Sequence, residues 1–218
     1  MTMTTITHHL TDDLLMAYAA GTLPEAFSLV IATHVSLCDD CRARLSGFEA
    51  LGGSVLESAG VAEMSEASLH AVLARISGTA PAKAPEPAAR PKGVFPAPLQ
   101  DYVGGDLDAV RWRPVGMGVR QAILQTEKGA TVRLLHIPAG AAVPDHGHRG
   151  TELTLVLKGA FRDEEGRYAR GDIEIADEAT EHTPIAEPGE DCICLAATDA
   201  PLRFRGLMPR LAQPFLRI

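Results

Sequence analysis

Residues 34 to 41 read "HVSLCDDC", which spaces a histidine and two cysteines as H-x3-C-x2-C. On a helix, His34 and Cys38 lie four apart and share a face. Cys41 follows where that helix should end and turn. One imidazole and two thiols converging at a helix corner suit tetrahedral zinc, which accepts nitrogen and sulfur donors together. A structural site needs a fourth ligand. The upstream candidates are the neighbours His8 and His9, which spacing alone does not separate. A C-x-x-C pair also serves disulfide exchange, but that chemistry expects a βαβ surrounding, and no such alternation is legible. A small helical unit has few ways to stabilise itself, and a metal staple is one of them.

A second constellation lies in "GAAVPDHGHRGTELTLVLKG", from Gly140 to Gly159, with the skeleton G-x5-H-x-H-x3-E-x6-G. His146 and His148 are two apart, so on a strand they face the same side. Glu152 returns to that pocket after a short turn containing Gly150. Downstream, "ARGDIEIADEATEHTP" supplies a glycine turn at Gly171 and a third imidazole at His182. Three imidazoles and one carboxylate suit zinc, iron, manganese or nickel. His70 and His136 have no such company and read as structural. Cys192 and Cys194, two apart in "CICLAA", share a strand face. They serve either as small buried hydrophobes or as an oxidisable thiol pair.

The elements that must position these groups differ between the two halves of the chain. "TDDLLMAYAAG" offers Thr11 as an N-cap and Gly21 as a terminator. "LPEAFSLVIATHVSLC" starts with Pro24 in its first turn and is apolar almost throughout. "DDCRARLSGFEALGGSVLE" has Asp39 and Asp40 at the favourable end of its dipole. "SEASLHAVLARI" is a fourth helix capped by Ser65. After the centre of the chain the pattern changes to short β-branched runs broken by glycine: "VRQAILQ", "TVRLLHIP", "ELTLVLKG", "DIEIA" and "CICLAA". Evenly spaced short strands point to an antiparallel sandwich or barrel. Between the halves, residues 78–98 hold six of the fifteen prolines, a density that blocks helix and central strand and favours extended chain. The sequence therefore divides into a helical unit over residues 1–78, a Pro/Ala-rich linker over 79–98 and an all-β unit over 99–218.

The net charge of −8 is unevenly placed. Residues 1–77 carry three arginines against nine acidic residues, which is −6. An acidic helical half disfavours direct contact with nucleic acid and suits a basic partner surface. No run of eighteen apolar residues exists, so no membrane span is expected. The N-terminus has neither the basic nor the apolar region of a secretion signal, which makes the cytoplasm the expected location. In that reducing compartment the four cysteines are expected as thiols or metal ligands rather than disulfides.

These motifs carry two resemblances. An upstream histidine followed by H-x3-C-x2-C in a four-helix unit resembles the zinc-binding anti-sigma domains that sequester extracytoplasmic-function sigma factors. That resemblance implies His9, His34, Cys38 and Cys41 as ligands. The G-x5-H-x-H-x3-E-x6-G stretch resembles the first signature of the cupins, small β-barrels that hold a metal in their mouth. It implies His146, His148, Glu152 and His182 as ligands. The second cupin signature is only partly kept: Ala169 stands where proline is usual, and no asparagine follows the histidine. In this order the parts resemble the cytoplasmic anti-sigma factors of the photooxidative-stress response. That implies two zinc ions per chain, a 1:1 complex with an RpoE-type sigma factor, and release of it by singlet oxygen or organic peroxide. The rival expectation is a cupin dioxygenase or isomerase with an accessory zinc domain.

Overall fold

The structure, a computed structural model, describes residues 5–78 and 93–204, together with Gly206 and Gln213. Most of the proline-rich stretch, residues 79–92, lies outside the described residues.

Among the described residues, four helices come first. α1 (Asp12–Ala19) begins where the Thr11 side chain accepts from the Leu14 N–H, and it gives way to Gly21 at φ +67°. α2 (Glu25–Val35) follows Pro24, and α3 (Asp39–Ser58) is capped by the Cys38 sulfur. α4 (Glu66–Gly78) completes the set. A fifth helix, α5 (Ala97–Val103), was not legible in the sequence. Its flanking Pro96 and Pro98 read as breakers, yet proline is well tolerated in a first helical turn, where no N–H partner is lost. Residues 93–98 therefore differ from the expected linker. Phe95 and Leu99 are buried, and Asp106 accepts from the Val94 and Phe95 N–H groups.

The described residues then form twelve strands: β1 (Arg113–Gly116), β2 (Val119–Leu124), β3 (Thr131–Ile137), β4 (His146–Gly147), β5 (Glu152–Lys158), β6 (Ala160–Arg162), β7 (Arg167–Ala169), β8 (Ile173–Ala176), β9 (Glu181–His182), β10 (Ile185–Ala186), β11 (Cys192–Thr198) and β12 (Arg203–Phe204). They make a six-stranded antiparallel sheet in the order β1-β2-β3-β11-β5-β8 and two three-stranded sheets, β10-β6-β7 and β12-β4-β9. Among the described residues the ladder does not close into one continuous ring.

Strand periodicity divides the large sheet into two faces. The register aligns Val132, Ala197, Leu153 and Ile175 in one row, and Arg133, Ala196, Thr154 and Glu174 in the next. The first row, with Leu134, Leu155 and Leu195, joins a core that includes α2 and α5. The second row turns to the interior side, where Val156, Cys192 and Cys194 pack with Phe161 and Tyr168.

The helical region is not self-contained. Eight of the eleven residues of α2 are buried, because this helix lies against β3, β5 and β11 as well as against α1 and α3. By contrast, α4 buries no residue at all, and α3 buries only Cys41 and Leu45, both in its first two turns.

Candidate metal centres

The first centre gathers at the entry to α1 and the corner between α2 and α3. His9, His34, Cys38 and Cys41 offer ligand atoms that all lie within 4.8 Å of one another. His34 Nε2 is 3.3 Å from Cys41 Sγ, and His9 Nδ1 is 3.3 Å from Cys38 Sγ and 3.7 Å from Cys41 Sγ. Of the two neighbours, His9 is the one whose nitrogen reaches this cluster, while His8 is engaged elsewhere. Its ring leans on Tyr168 with centroids 4.4 Å apart, and its Nδ1 sits 3.5 Å from Asp172.

The tautomer of His34 is fixed by its other nitrogen. Nδ1 is 2.9 Å from the carbonyl of Gly171, which can only accept, so Nδ1 carries the hydrogen and Nε2 presents its lone pair to the centre. Burial holds this imidazole neutral, with its pKa lowered to about 4. Burial also pushes the Cys41 thiol up, so its anion needs a cation beside it. Arg44 approaches only the edge of the cluster, 4.0 Å from Cys41 Sγ, while its guanidinium is held by Asp12 and the Leu10 carbonyl. A neutral, oriented imidazole beside two buried thiols fits a divalent metal that takes the thiol protons away on binding.

The second centre lies inside the β unit. His146 comes from β4, His182 from β9 directly opposite it in register, and His148 from just after β4. The Nε2 atoms of His146 and His148 are each 3.2 Å from His182 Nε2, and the three side chains are almost fully buried. Three ring nitrogens converging at this distance cannot all be satisfied by hydrogen bonds with one another, since each contact holds only one hydrogen. A cation at their centre satisfies all three.

Two buried carboxylates back this triad. Asp163 Oδ2 is 3.0 Å from His182 Nδ1, and Glu174 Oε1 is 2.8 Å from the same nitrogen. The hydrogen points at Asp163, so the Glu174 oxygen is close without the alignment of a hydrogen bond. Burial works against a charged His182, but Glu174 and Asp163 outweigh it and raise its pKa to about 9. Burial raises Glu174 to about 7. His146 and His148 are lowered by burial and stay neutral near pH 7. A metal held by these three nitrogens would take the place of a proton on His182 Nε2, with Nδ1–H directed at Asp163.

Glu152, expected as the fourth ligand, is not brought into this cluster. Its Oε1 instead accepts from the Thr154 hydroxyl, two residues further along β5. Its charge still bears on His146, His148 and His182, so it faces the same interior without its oxygen reaching the three nitrogens.

Asp163 and Glu174 were missed in the sequence. "DIEIA" alternates apolar and acidic residues, which ordinarily places the acid toward solvent, whereas here the apolar face meets α2 and the other face is also enclosed. Cys192 and Cys194 are both buried with sulfurs 3.5 Å apart, far beyond an S–S bond, and are thiols. The thiol contact with Cys192, then burial, raises Cys194. Both features suit packed hydrophobes better than reactive thiolates. The larger cavity, of about 930 Å³, is lined by residues 123–131, Arg133, Arg149 and 198–202, and by none of the three histidines.

Residues 100–201 match the family model described as the ChrR cupin-like domain. The anti-sigma-E factor ChrR of Cereibacter sphaeroides is 62% identical over 214 residues, covering 98% of this chain and 100% of that protein. The ChrR chain in the crystal structure of Rhodobacter sphaeroides SigE in complex with the anti-sigma ChrR is 60% identical. It superposes with a TM-score of 0.78 over 89% of this chain and 100% of that one. Among the described residues, no helix is long and apolar enough to cross a membrane.

Proposed function

The chain belongs to the ChrR family of anti-sigma factors, and on that premise we propose that it holds an RpoE-type sigma factor in an inactive 1:1 complex through its helical half. The observation that carries this is the unpartnered face of α4. Leu69, Val72, Leu73 and Ile76 fall at i, i+3, i+4 and i+7, the stripe by which a helix meets a core, yet all four are exposed. Leu51, Val55 and Leu56 on the distal part of α3 are exposed as well. Apolar surface in such a stripe marks a protein–protein contact. The acidic excess of the helical half favours a basic partner surface over nucleic acid.

Zinc is the metal we assign to both centres. In the helical centre the donor set is two imidazoles and two thiolates, a usual structural zinc set. Tetrahedral zinc, with bonds of about 2.0–2.1 Å to nitrogen and 2.3 Å to sulfur, has N···S edges of roughly 3.5 Å and N···N edges of roughly 3.3 Å. The N···S separations of 3.3–3.7 Å and N···N separations of 3.2 Å agree with that shape. We assign His9, His34, Cys38 and Cys41 to one ion. His146, His148 and His182 are assigned to the other, with Glu152 as the carboxylate that would complete it by a rotamer change releasing Thr154. The cupin centre serves release of the sigma factor on exposure to singlet oxygen or organic peroxide in the cytoplasm. A substrate-processing site is disfavoured because the histidines are 1–4% exposed and line neither cavity.

The deciding experiment is co-expression with an RpoE-type sigma factor similar to SigE, followed by affinity copurification. A stoichiometric complex is expected, and replacing Leu69 and Val72 together by aspartate is expected to abolish it. No complex with the unaltered chain would refute the proposal. Metal analysis is expected to give two zinc ions per chain, and one in either Cys41→Ser or His148→Ala.

A further inference from the structure

One four-residue stretch, residues 171–174, touches both metal centres. At its start, the Gly171 carbonyl accepts from His34 Nδ1 at 2.9 Å and so sets the tautomer and aim of a ligand in the helical centre. Next, Asp172 Oδ1 accepts from the backbone N–H groups of Thr7 at 2.7 Å and His8 at 2.9 Å, which are the residues leading into the ligand His9. Ile173 N–H is 3.4 Å from the His8 carbonyl. At its end, Glu174 Oε1 lies 2.8 Å from Nδ1 of His182, a member of the cupin triad.

The backbone here has little room to give. Gly171 has φ +93°, which disfavours any side chain, and a Cβ there would come within 2.6 Å of Ile6 Cδ1. Its N–H is held by the Val156 carbonyl at 2.8 Å, and Asp172 Oδ2 accepts from Ala169 N–H at 2.9 Å. Asp172 itself is 2% exposed. A segment held this closely has little slack between its ends.

We propose that residues 171–174 link the two centres, so that the state of the cupin histidines changes the metal affinity of the helical site, and the reverse by reciprocity. A reorientation of His182 would shift Glu174 and the strand behind it, and so loosen the grip of Gly171 and Asp172 on His34 and on the chain leading into His9. That this loosening releases a sigma factor rests on the proposed function above. The link between the centres does not.

The test uses the full chain loaded with Co²⁺. Only the helical site supplies thiolates, so sulfur-to-cobalt charge-transfer absorption reports that site alone. Its affinity is measured by chelator competition with the cupin histidines intact and with His146→Ala. These two affinities are expected to differ by about fivefold or more. In Asp172→Ala and in Glu174→Gln backgrounds the difference is expected to fall below about twofold, with the helical site still binding. Glu25→Ala breaks a separate contact between the halves, to Tyr102 and the Glu127 N–H, and is expected to leave the difference intact. The link is overturned by a difference below twofold in the otherwise unaltered chain, by its persistence in both variants, or by its equal loss in Glu25→Ala. Should Asp172→Ala fail to fold, Glu174→Gln decides alone, since it keeps side-chain shape and every Asp172 contact. No sigma factor enters this measurement, and failure of the anti-sigma function would show separately as absence of copurification.

Discussion

The two metal centres are built on opposite plans. The helical centre draws its ligands from three segments, the entry to α1, α2 and the start of α3; α2, Leu10 and Leu15 are well packed, but α3 buries only two residues and α4 none. The cupin centre draws His146 and His182 from cross-strand neighbours of the small β12-β4-β9 sheet and His148 from just after β4, so backbone pairing brings its histidines together without an ion. A metal in the first place would be a staple for weakly packed helices. In the second it would be held by histidines that the strands already bring together. That difference is what a regulator needs, with one half that must be intact to bind and another that can change without collapsing.

The largest expected effect comes from breaking the staple. Structural zinc contributes about 10–16 kcal/mol in small domains, comparable with or above the whole stability of a typical fold. Cys38→Ser or Cys41→Ser is therefore expected to unfold much of α1, α3 and α4. Far-ultraviolet circular dichroism should show helix lost and strand kept, and sigma-dependent transcription should become constitutive. A variant that lacks metal and keeps full helicity would show that the packing of α2 suffices.

Next in size is the exposed stripe. Two central interface residues changed to charge typically cost several kcal/mol, so Leu69→Asp with Val72→Asp is expected to weaken sigma binding by about 100-fold or more. Thermal stability should hardly move, since neither side chain is buried in the free chain. A matching loss of stability would mean that α4 packs within its own chain in solution.

Acid and base should act on the metal-free centres in opposite directions. His34 is lowered to about 4 from 6.5, so its neutral form contributes stability above pH 6.5 that is lost as pH falls toward 4, about 3 kcal/mol in all. His182 is raised to about 9, so its contribution is present below pH 6.5 and lost as pH rises through 9. In chelated protein α2, which carries His34, still packs on the strands, so denaturant titrations between pH 4 and 9.5 should show α2 released first on the acid side and strand weakening on the basic side. The same order of loss at both extremes would contradict the contrast.

The smallest expected effect on stability is His146→Ala. Removing one ligand should empty the cupin centre, lower the melting midpoint by only a few degrees and loosen the sigma complex without abolishing copurification, while any further response to singlet oxygen is blunted. Melting curves and a sigma-dependent reporter under illumination check this. A normal response in the reporter would make the cupin metal purely structural.

Features that short-range pattern can encode were legible. Thr11, Asp39 and the apolar spacing of α2 mark real helices, and the H-x3-C-x2-C and H-x-H spacings put ligands on common faces, because helix and strand periods are local properties of the backbone. Helix α5 was lost to its own prolines, since a proline breaks a helix from within and starts one from its first turn. Glu152 sits at the spacing expected of a ligand, yet its oxygen goes to Thr154, since spacing assigns a residue to a face and leaves its rotamer open.

Everything that joins the halves was decided by tertiary structure. His9 enters the helical centre because Asp172 and Tyr168, some 160 residues away in the chain, engage His8 instead. The tautomer of His34 is set by a carbonyl 137 residues downstream, and Glu174 is a partner of His182 because the strand's other face, Ile173 and Ile175, joins the core shared with α2. Periodicity states which side chains share a face. The surroundings of that face depend on contacts between segments distant in sequence, and no local pattern carries that information.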